Sequence, residues 1–245
     1  MIPGNGDHTD KTGLITLQRF SKANRFNEWM FQTLSPYLKG DVLEIGSGIG
    51  NLSDFFLKQH IRLTASEINS YYCEILSKRF LGHPCLAEVR QLNIEWDNQS
   101  GILNDLAGRF DTVVALNVIE HIRDHDLAIQ NCRLLLKKGG TLVVLVPSYP
   151  ILYNSLDKAL AHYRRYTGKS LQAVLEKNGL RVIKKMHFNL GGVFGWALAG
   201  LMRKKILPEG QLRWYNRLVP LWRTMDNIFF HSIGLSVIQI ACRRD

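Results

Sequence analysis

Short apolar runs alternate with amphipathic stretches over the first three fifths of the chain. Five of these runs predict strands, at 42–45, 62–66, 87–92, 112–116 and 141–146. The runs are continuously apolar, which is typical of strands buried on both faces. The alternation predicts an α/β fold with a doubly wound, mostly parallel, Rossmann-like sheet and helices on both faces.

Helical periodicity fills the intervals between the runs. Residues 16–38 predict one amphipathic helix, and residues 69–80 predict another. A third helix is predicted at 124–137, where Gly139 and Gly140 supply a stop signal.

After Pro150 the alternation of apolar runs and amphipathic stretches becomes less regular. We expect a helix at 170–177, a sixth strand at 180–188 and a seventh strand at 234–242 that runs antiparallel. An insertion at about 189–232 separates the last two strands, and an insertion of that length in a compact domain is usually functional.

A glycine-rich turn follows the first predicted strand. Gly46, Gly48 and Gly50 occupy alternate positions before the next helix. Glycine is needed where the backbone turns sharply or a ligand approaches it closely, and the N–H groups at a helix start can face that ligand. The alternative is a turn that only packs helix against strand.

Two carboxylates accompany this turn. Glu67 ends the second strand about 20 residues on, where it can accept both ribose hydroxyls of an adenosine. Glu44 lies just before the turn, where it would repel a pyrophosphate and suits a cationic ligand. The third glycine is one position early for a dinucleotide site, which disfavours a dehydrogenase.

Four motifs resemble those of class I S-adenosylmethionine-dependent methyltransferases of the small-molecule branch. They lie at 44–50 (EIGSGIG), 117–122 (NVIEHI), 137–147 (KKGGTLVVLVP) and 162–167 (HYRRYT). The resemblance covers about residues 25–188 and implies S-adenosyl-L-methionine as cofactor and a small-molecule methyl acceptor.

The resemblance also implies residue roles at the cofactor. Glu44 would lie near the methionine amino group, Glu67 would bind the ribose hydroxyls, and Asn93 would accept a bond from the adenine amino group, where the family often has Asp. The positions implied to contact the cofactor are Glu44, Gly46, Ser47, Gly48, Gly50, Glu67, Ile68, Asn93, Ile94, Asn117 and Val118.

A general base is needed only when the acceptor arrives protonated, as an alcohol or phenol does. His121 is the first candidate for catalysis, followed by His162 with Tyr163. The alternative for His121 is a packing role against the next helix. Glu120 beside His121 could join a metal site, but no third or fourth ligand is evident, so no metal is predicted.

An aromatic and basic cluster is the candidate acceptor site. Arg164, Arg165 and Tyr166 could clamp a phosphate or carboxylate, because guanidinium groups bind such oxyanions bidentately. The alternative is a surface strip that pairs with Asp157 or Glu176. Trp29, in the N-terminal segment, is also predicted to contact the substrate.

The chain, 1–245, is predicted to be a single methyltransferase domain, because its length and 46% hydrophobic residues suit one large core. Its predicted parts are an N-terminal helix or lid at 1–38, a cofactor-binding core at 39–188, a basic apolar insertion at 189–232 and the last strand at 233–245.

The net charge of +10 is concentrated in the C-terminal part. Residues 1–150 carry 15 Lys and Arg against 16 Asp and Glu, whereas residues 151–245 carry 16 against 5. This asymmetry indicates a surface for phosphates, anionic lipid or an acidic substrate. A solvated basic face without a partner is the alternative.

The insertion interleaves apolar and basic residues, among them Trp196, Trp222 and Arg223. A basic helix with Trp and Leu can lie peripherally in a membrane interface. It could equally form a lid over a lipid-like acceptor. An ordinary core helix or a homodimer contact is the competing explanation.

Cysteine usage and the N-terminus predict a cytoplasmic protein. The scattered residues Cys73, Cys85, Cys132 and Cys242 predict free thiols, and no secretory signal is visible. The most apolar later run, 190–202, is shorter than the roughly 20 residues that span a membrane.

Two other functions compete with a small-molecule methyltransferase. The basic C-terminal part favours a methyltransferase that modifies RNA or DNA. Nucleic acid is the weaker choice of partner, because no Asn/Asp-Pro-Pro-aromatic motif follows the fourth strand. A non-catalytic binding module on the same fold is disfavoured by the intact glycines, Glu67 and the Glu120–His121 pair.

Overall fold

Seven strands form one sheet in the computed structural model, which describes residues 11–96, 105–206 and 208–244. They are β1 (Val42–Ile45), β2 (Leu63–Glu67), β3 (Leu86–Gln91), β4 (Phe110–Leu116), β5 (Leu136–Pro147), β6 (Leu180–Phe188) and β7 (Ser236–Arg243). Their order is β3-β2-β1-β4-β5-β7-β6. Neighbours among β1–β5 pair in parallel, and β7 is antiparallel to both β5 and β6. The predicted fold and the antiparallel last strand are confirmed.

Ten helices cover the sheet within these described ranges. They are α1 (Lys11–Ser21), α2 (Asn24–Leu34), α3 (Ser53–Lys58), α4 (Ser70–Arg79), α5 (His125–Leu135), α6 (Ser155–Ala159), α7 (Gly168–Lys177), α8 (Leu190–Leu201), α9 (Glu209–Arg217) and α10 (Val219–Ile228). Residues 1–10 of the predicted N-terminal lid lie outside the described residues.

Two hydrophobic cores lie on the two faces of the sheet, because successive strand residues point to opposite faces. Leu43 of β1 packs in the core that includes α5 and α7 residues. Its neighbour Val42 packs in the other core, with α2 and α3. Both side chains are buried, so β1 runs through the centre of the molecule.

The N-terminal segment is two helices, so the prediction of one helix at 16–38 is wrong. The chain turns at Ala23, whose ψ of 56° is not helical and which is itself buried. The Asn27 side chain donates to the Phe20 carbonyl at 2.8 Å, which satisfies a terminal acceptor of α1. Helical periodicity continues across such a turn, so the pattern alone does not reveal it.

Gly139 and Gly140 do not end a helix, contrary to the prediction. The helix α5 ends at Leu135, and both glycines lie inside the long strand β5. Gly139 has a φ of +72°, and the pairing register with β4 shifts over this stretch. Here glycine permits a bulge-like irregularity at a strand start rather than a helix stop.

Within residues 189–206 and 208–232 the chain forms the three helices α8, α9 and α10. The Asp226 carboxylate of α10 accepts hydrogen bonds from the Asn189 and Leu190 N–H groups at 2.7 and 2.8 Å, which fixes the start of α8. The side chain of Asn216 accepts a bond from the Phe26 N–H at 3.0 Å, which ties α9 to α2. None of the helices in the described ranges has the length and apolar character needed to cross a membrane.

Candidate active site

The glycine-rich turn lies at the carboxyl end of β1, between β2 and β4. Gly46, Gly48 and Gly50 have φ angles of +70°, +56° and +84°, which side chains rarely adopt. A Cβ on Gly46 would lie 2.5 Å from Cγ2 of Val118. The Ser47 N–H donates to the Ser66 carbonyl at 2.9 Å, which anchors the turn to β2. Glycine is therefore required at Gly46 both by the backbone angle and by the close approach of Val118.

Glu67 ends β2 beside this turn. Its Oε2 accepts a bond from the Gly48 N–H at 2.9 Å, and its Oε1 accepts from the N–H groups of Ile68 and Asn69 at 2.8 and 3.2 Å. A carboxylate has about four acceptor sites, so capacity remains for a further donor. These bonds fix the carboxylate beside the glycine-rich turn.

Glu44 is buried beneath the glycine-rich turn. Its Oε2 accepts a bond from the Ser53 hydroxyl at the start of α3. Burial raises the pKa of Glu44 to about 7, although the bonds from Ser53 and Ser47 oppose the rise and nearby Glu67 adds to it. A half-ionised carboxyl at neutral pH responds strongly to a cation nearby.

The helix α1 lies over the turn. A Cβ on Gly48 would meet the side chain of Leu17 at 3.1 Å, and the side chain of Asn51 donates to the Leu17 carbonyl at 2.9 Å. The part of the predicted lid that the structure describes therefore contacts the glycine-rich turn directly.

The remaining predicted cofactor residues lie at the ends of neighbouring strands. Ile68 is 56% exposed, whereas Ile94 is buried. The side-chain oxygen of Asn93 accepts a bond from the Glu95 N–H at 2.9 Å. Asn117 has a φ of +52° and donates its N–H to the Leu145 carbonyl at 2.8 Å, which turns the chain after β4 and places Val118 against Gly46.

Glu120, His121 and His162 lie close together at the turn that follows β4. One potential ligand atom from each residue lies within 4.8 Å of the others. The rings of His121 and His162 are 4.6 Å apart between centroids and nearly perpendicular. The Tyr163 N–H donates to the Glu120 carbonyl at 2.8 Å, which joins the two segments. Sequence spacing did not reveal His162 as a neighbour of Glu120, because 42 positions separate them.

Asp157 of α6 holds this region together. Its Oδ1 accepts bonds from His162 Nδ1 at 2.9 Å and Arg165 Nε at 2.8 Å. Its Oδ2 accepts from the Asn154 N–H at 3.0 Å and from the Trp196 ring N–H of α8 at 3.2 Å. Asp157 was expected only as a partner of a surface strip, yet it is fully buried. The capping pair of Asn154 and Asp157 at the start of α6 was the available signal.

The residues predicted to bind an anionic group of the acceptor differ in how deeply they are buried. Arg165 is buried, donates to Asp157 and to the Ser148 carbonyl, and lies over the Trp196 ring. Tyr166 is buried, and its hydroxyl is 2.8 Å from His125 Nδ1. These contacts are internal, so the structure does not present either side chain to an acceptor.

Arg164 and Tyr163 lie nearer the surface. Tyr163 is 57% exposed, and Arg164 lies over its ring and donates to the Arg123 carbonyl. Trp29 is placed elsewhere: it is buried in the core with its ring centroid 4.2 Å from that of Phe188. The structure therefore does not bring Trp29 together with the other predicted site residues.

The sequence profile of a family described as "Methyltransferase domain" matches residues 17–185, which is more than half of the chain. The chain belongs to this methyltransferase family. The resemblance noted from the sequence motifs is thereby confirmed at the level of the family.

Individual relatives agree with this assignment. A ubiquinone biosynthesis O-methyltransferase of Coxiella burnetii is 29% identical over 161 residues, which span 60% of this chain and 66% of the relative, just under two thirds of its length. An S-adenosylmethionine-dependent methyltransferase from Thermotoga maritima has a TM-score of 0.60 at 17% identity, covering 93% of this chain and 95% of that one.

A third match is phosphoethanolamine N-methyltransferase 2 of Haemonchus contortus in complex with S-adenosyl-L-methionine. Its TM-score is 0.58 at 15% identity, and the match covers 89% of this chain and 52% of that one. At such identities the two solved structures support the fold.

S-adenosylmethionine is the cofactor of this methyltransferase family. The residues of this chain fit it, because the turn of Gly46, Gly48 and Gly50 offers backbone with left-handed φ angles. Glu44 and Glu67 flank that turn with acceptors for a cation and for hydroxyls. When bound, the cofactor supplies a methyl group activated on a sulfonium. The chain is therefore a member of the S-adenosylmethionine-dependent methyltransferases.

Proposed function

We propose that this enzyme methylates a hydroxyl oxygen of a hydrophobic, lipid-like acceptor that it takes from an anionic membrane surface. The observation that carries the proposal is the exposed apolar surface of α8, α9 and α10. Ten of the 18 exposed large hydrophobic side chains among the described residues lie within residues 189–232. They are Phe194, Leu198, Leu201, Met202, Trp214, Leu218, Leu221, Ile228, Phe229 and Phe230.

The spacing of these side chains supports a membrane-facing surface. Phe194, Leu198 and Leu201 follow one another at helical intervals and therefore share a face of α8. Exposed apolar side chains that are concentrated in one region commonly mark a binding surface. Exposed Arg203, Lys205 and the arginines of α9 and α10 accompany them, which suits anionic headgroups.

The insertion also contacts the candidate acceptor site. The ring N–H of Trp196 in α8 donates to Asp157, which in turn holds His162. A hydrophobic molecule that enters from the exposed surface of α8 would therefore approach the His121 and His162 pair. The name of the Coxiella relative, an O-methyltransferase of ubiquinone biosynthesis, fits a lipidic hydroxyl as acceptor.

A lipid-like hydroxyl acceptor gives the residues of the site the following roles. Glu44 holds the methionine amino group, Glu67 holds the ribose hydroxyls, and Asn117 with Val118 borders the methyl group. His121 and His162 assist the loss of the acceptor proton, which an alcohol or phenol must release on methylation. Arg164, at the edge of the cluster, contacts an anionic group on the acceptor.

Methyl transfer to matched acceptors tests the proposal. The enzyme is incubated with methyl-labelled S-adenosylmethionine and either 4-octylphenol, 4-octylaniline, phenol or RNA. We expect label in 4-octylphenol, with kcat/KM at least about tenfold above that for phenol, because an eight-carbon tail adds apolar contact. Label confined to the aniline or to RNA would overturn the assignment of a hydroxyl acceptor.

The affinity for S-adenosylmethionine is expected to fall as the pH falls from 8 to 6. The pKa of Glu44 is about 7, so its carboxylate is ionised above that pH and protonated below it. Only the ionised form attracts the cationic amino group, and its population drops about tenfold over this range. Calorimetry should therefore show Kd rising by about tenfold.

Glu44→Gln is the matched control for this pH dependence. The variant should bind more weakly at pH 8 and retain only the pH dependence that belongs to the ligand itself. Equal pH dependence in the variant and the wild type would show that Glu44 does not face the amino group.

Sedimentation with lipid vesicles tests the membrane surface. The wild type should sediment with vesicles of phosphatidylglycerol and phosphatidylcholine and remain in solution with phosphatidylcholine alone. Leu198→Glu combined with Leu201→Glu should abolish binding, because two charges would enter the apolar interface. Leu81→Glu changes a side chain that is 87% exposed but lies outside the insertion, so it should bind normally. Equal binding of both variants would contradict the proposed surface.

A further inference from the structure

The cluster of Glu120, His121 and His162 has the composition of a metal site. Their potential ligand atoms lie within 4.8 Å of one another. Two atoms bound to one ion at about 2.1 Å are at most about 4.2 Å apart, so the cluster needs only a slight contraction to bind an ion. Glu120 and His121 come from the short 3-10 turn after β4, and His162 comes from the segment after α6.

Glu120 supplies an independent indication. Its side chain is fully buried, and neither carboxylate oxygen accepts a hydrogen bond from any described residue. A buried acceptor without a donor is costly, and such groups are rare in folded proteins unless an ion or water completes them.

His162 is held in the way that metal-binding histidines are held. Its Nδ1 lies 2.9 Å from the carboxylate of Asp157 and donates to it, so Nε2 keeps its lone pair for another partner. A carboxylate behind a histidine fixes the ring and raises its basicity as a ligand. Arg165, Trp196 and Asn154 hold Asp157 in turn, so the histidine is positioned before any ion binds.

We propose that Glu120, His121 and His162 bind a divalent transition-metal ion. Two imidazoles with one carboxylate favour zinc, manganese or cobalt over magnesium and calcium, which prefer oxygen ligands. Three protein ligands leave coordination positions open. His121 is exposed, so the cluster can be reached from solvent.

This assignment rests on the proposed hydroxyl acceptor and explains how the two histidines assist the reaction. An acceptor oxygen bound to the ion has a lowered pKa and releases its proton to solvent near neutral pH. That oxygen then forms the bond to the methyl carbon, and the electron pair of the broken carbon–sulfur bond stays on sulfur. No oxidant or reductant is required.

The first test measures metal binding alone. Full-length protein treated with chelator is titrated calorimetrically with Zn²⁺, Mn²⁺, Co²⁺ and Mg²⁺, and the visible absorption of Co²⁺ is recorded. We expect one tight site for at least one transition ion, weaker binding of Mg²⁺, and about 100-fold or greater loss of affinity in His121→Ala and Glu120→Gln. His60→Asn, at an exposed histidine elsewhere, should bind as the wild type does.

The outcomes separate this inference from the proposed acceptor. Absence of a one-to-one site, or binding that is unchanged in His121→Ala, would overturn the metal site, and His121 is exposed enough for that variant to fold. If the ion binds but chelation leaves 4-octylphenol methylation unchanged, the proposed role of the ion is overturned while the acceptor stands. Tight binding in a protein that methylates only an amine or RNA would support the site and reject the hydroxyl acceptor.

Discussion

Glu67→Ala is expected to weaken the binding of S-adenosylmethionine by about 100-fold or more, which corresponds to about 2.7 kcal/mol. The variant removes an acceptor for two ribose hydroxyls, and bonds to a charged group contribute about 1.5–3 kcal/mol each. It also frees the Gly48 N–H, which Glu67 Oε2 holds at 2.9 Å. Calorimetry with S-adenosylmethionine, its demethylated product and NAD⁺ measures the effect.

Glu74→Ala is the matched control for this loss. Glu74 lies seven positions further on, is exposed on α4 and pairs only loosely with Lys78 at 3.8 Å. It should bind both sulfur ligands as the wild type does. An unchanged Kd in Glu67→Ala would show that Glu67 does not bind the ribose. Binding of NAD⁺ by the wild type would contradict the prediction, made from the glycine spacing, that this is not a dinucleotide site.

Asp157→Ala is expected to lower the free energy of unfolding by about 3–5 kcal/mol, because it leaves the buried guanidinium of Arg165 without its partner. The same carboxylate accepts bonds from His162, Trp196 and the Asn154 N–H, so α6, α8 and the segment after α6 all lose an anchor. Denaturation in urea, followed by circular dichroism, measures the loss.

Asp126→Ala is the control for Asp157. Asp126 pairs with the exposed Lys177 at 2.7 Å, and such surface pairs contribute about 1 kcal/mol or less. A loss below about 1 kcal/mol in Asp157→Ala would mean that solvent replaces the buried partners. His162 would then not be rigidly held, and its role as a positioned ligand would lose its support.

Much of the candidate site follows from local sequence. The turn of Gly46, Gly48 and Gly50 was predictable because left-handed backbone and close approach both select glycine. Glu67 was predictable because the residue that ends β2 must lie beside that turn in a parallel sheet. These inferences depend on neighbours in sequence or on adjacent parallel strands, which the alternation of elements already determines.

Other predictions failed because they depend on distant parts of the chain. Trp29 and Arg165 were predicted to contact a substrate, but both are buried against internal partners, and hydropathy does not say which partner a large or charged side chain finds. Gly139 was predicted to stop a helix. Leu136 instead pairs with Phe110 of β4, so Gly139 already lies within the strand β5. Tertiary context overrides local signals of this kind.

The sequence by itself determined the α/β class, the order of the strands along the chain and the position of the glycine-rich turn, because periodicity and glycine spacing are local properties. Only the tertiary structure brought His162 to Glu120 and His121 and buried Asp157 behind it. Glu120 and His121 lie before α5, whereas Asp157 lies on α6 and His162 follows it. Their meeting depends on how these segments pack rather than on any spacing in the chain.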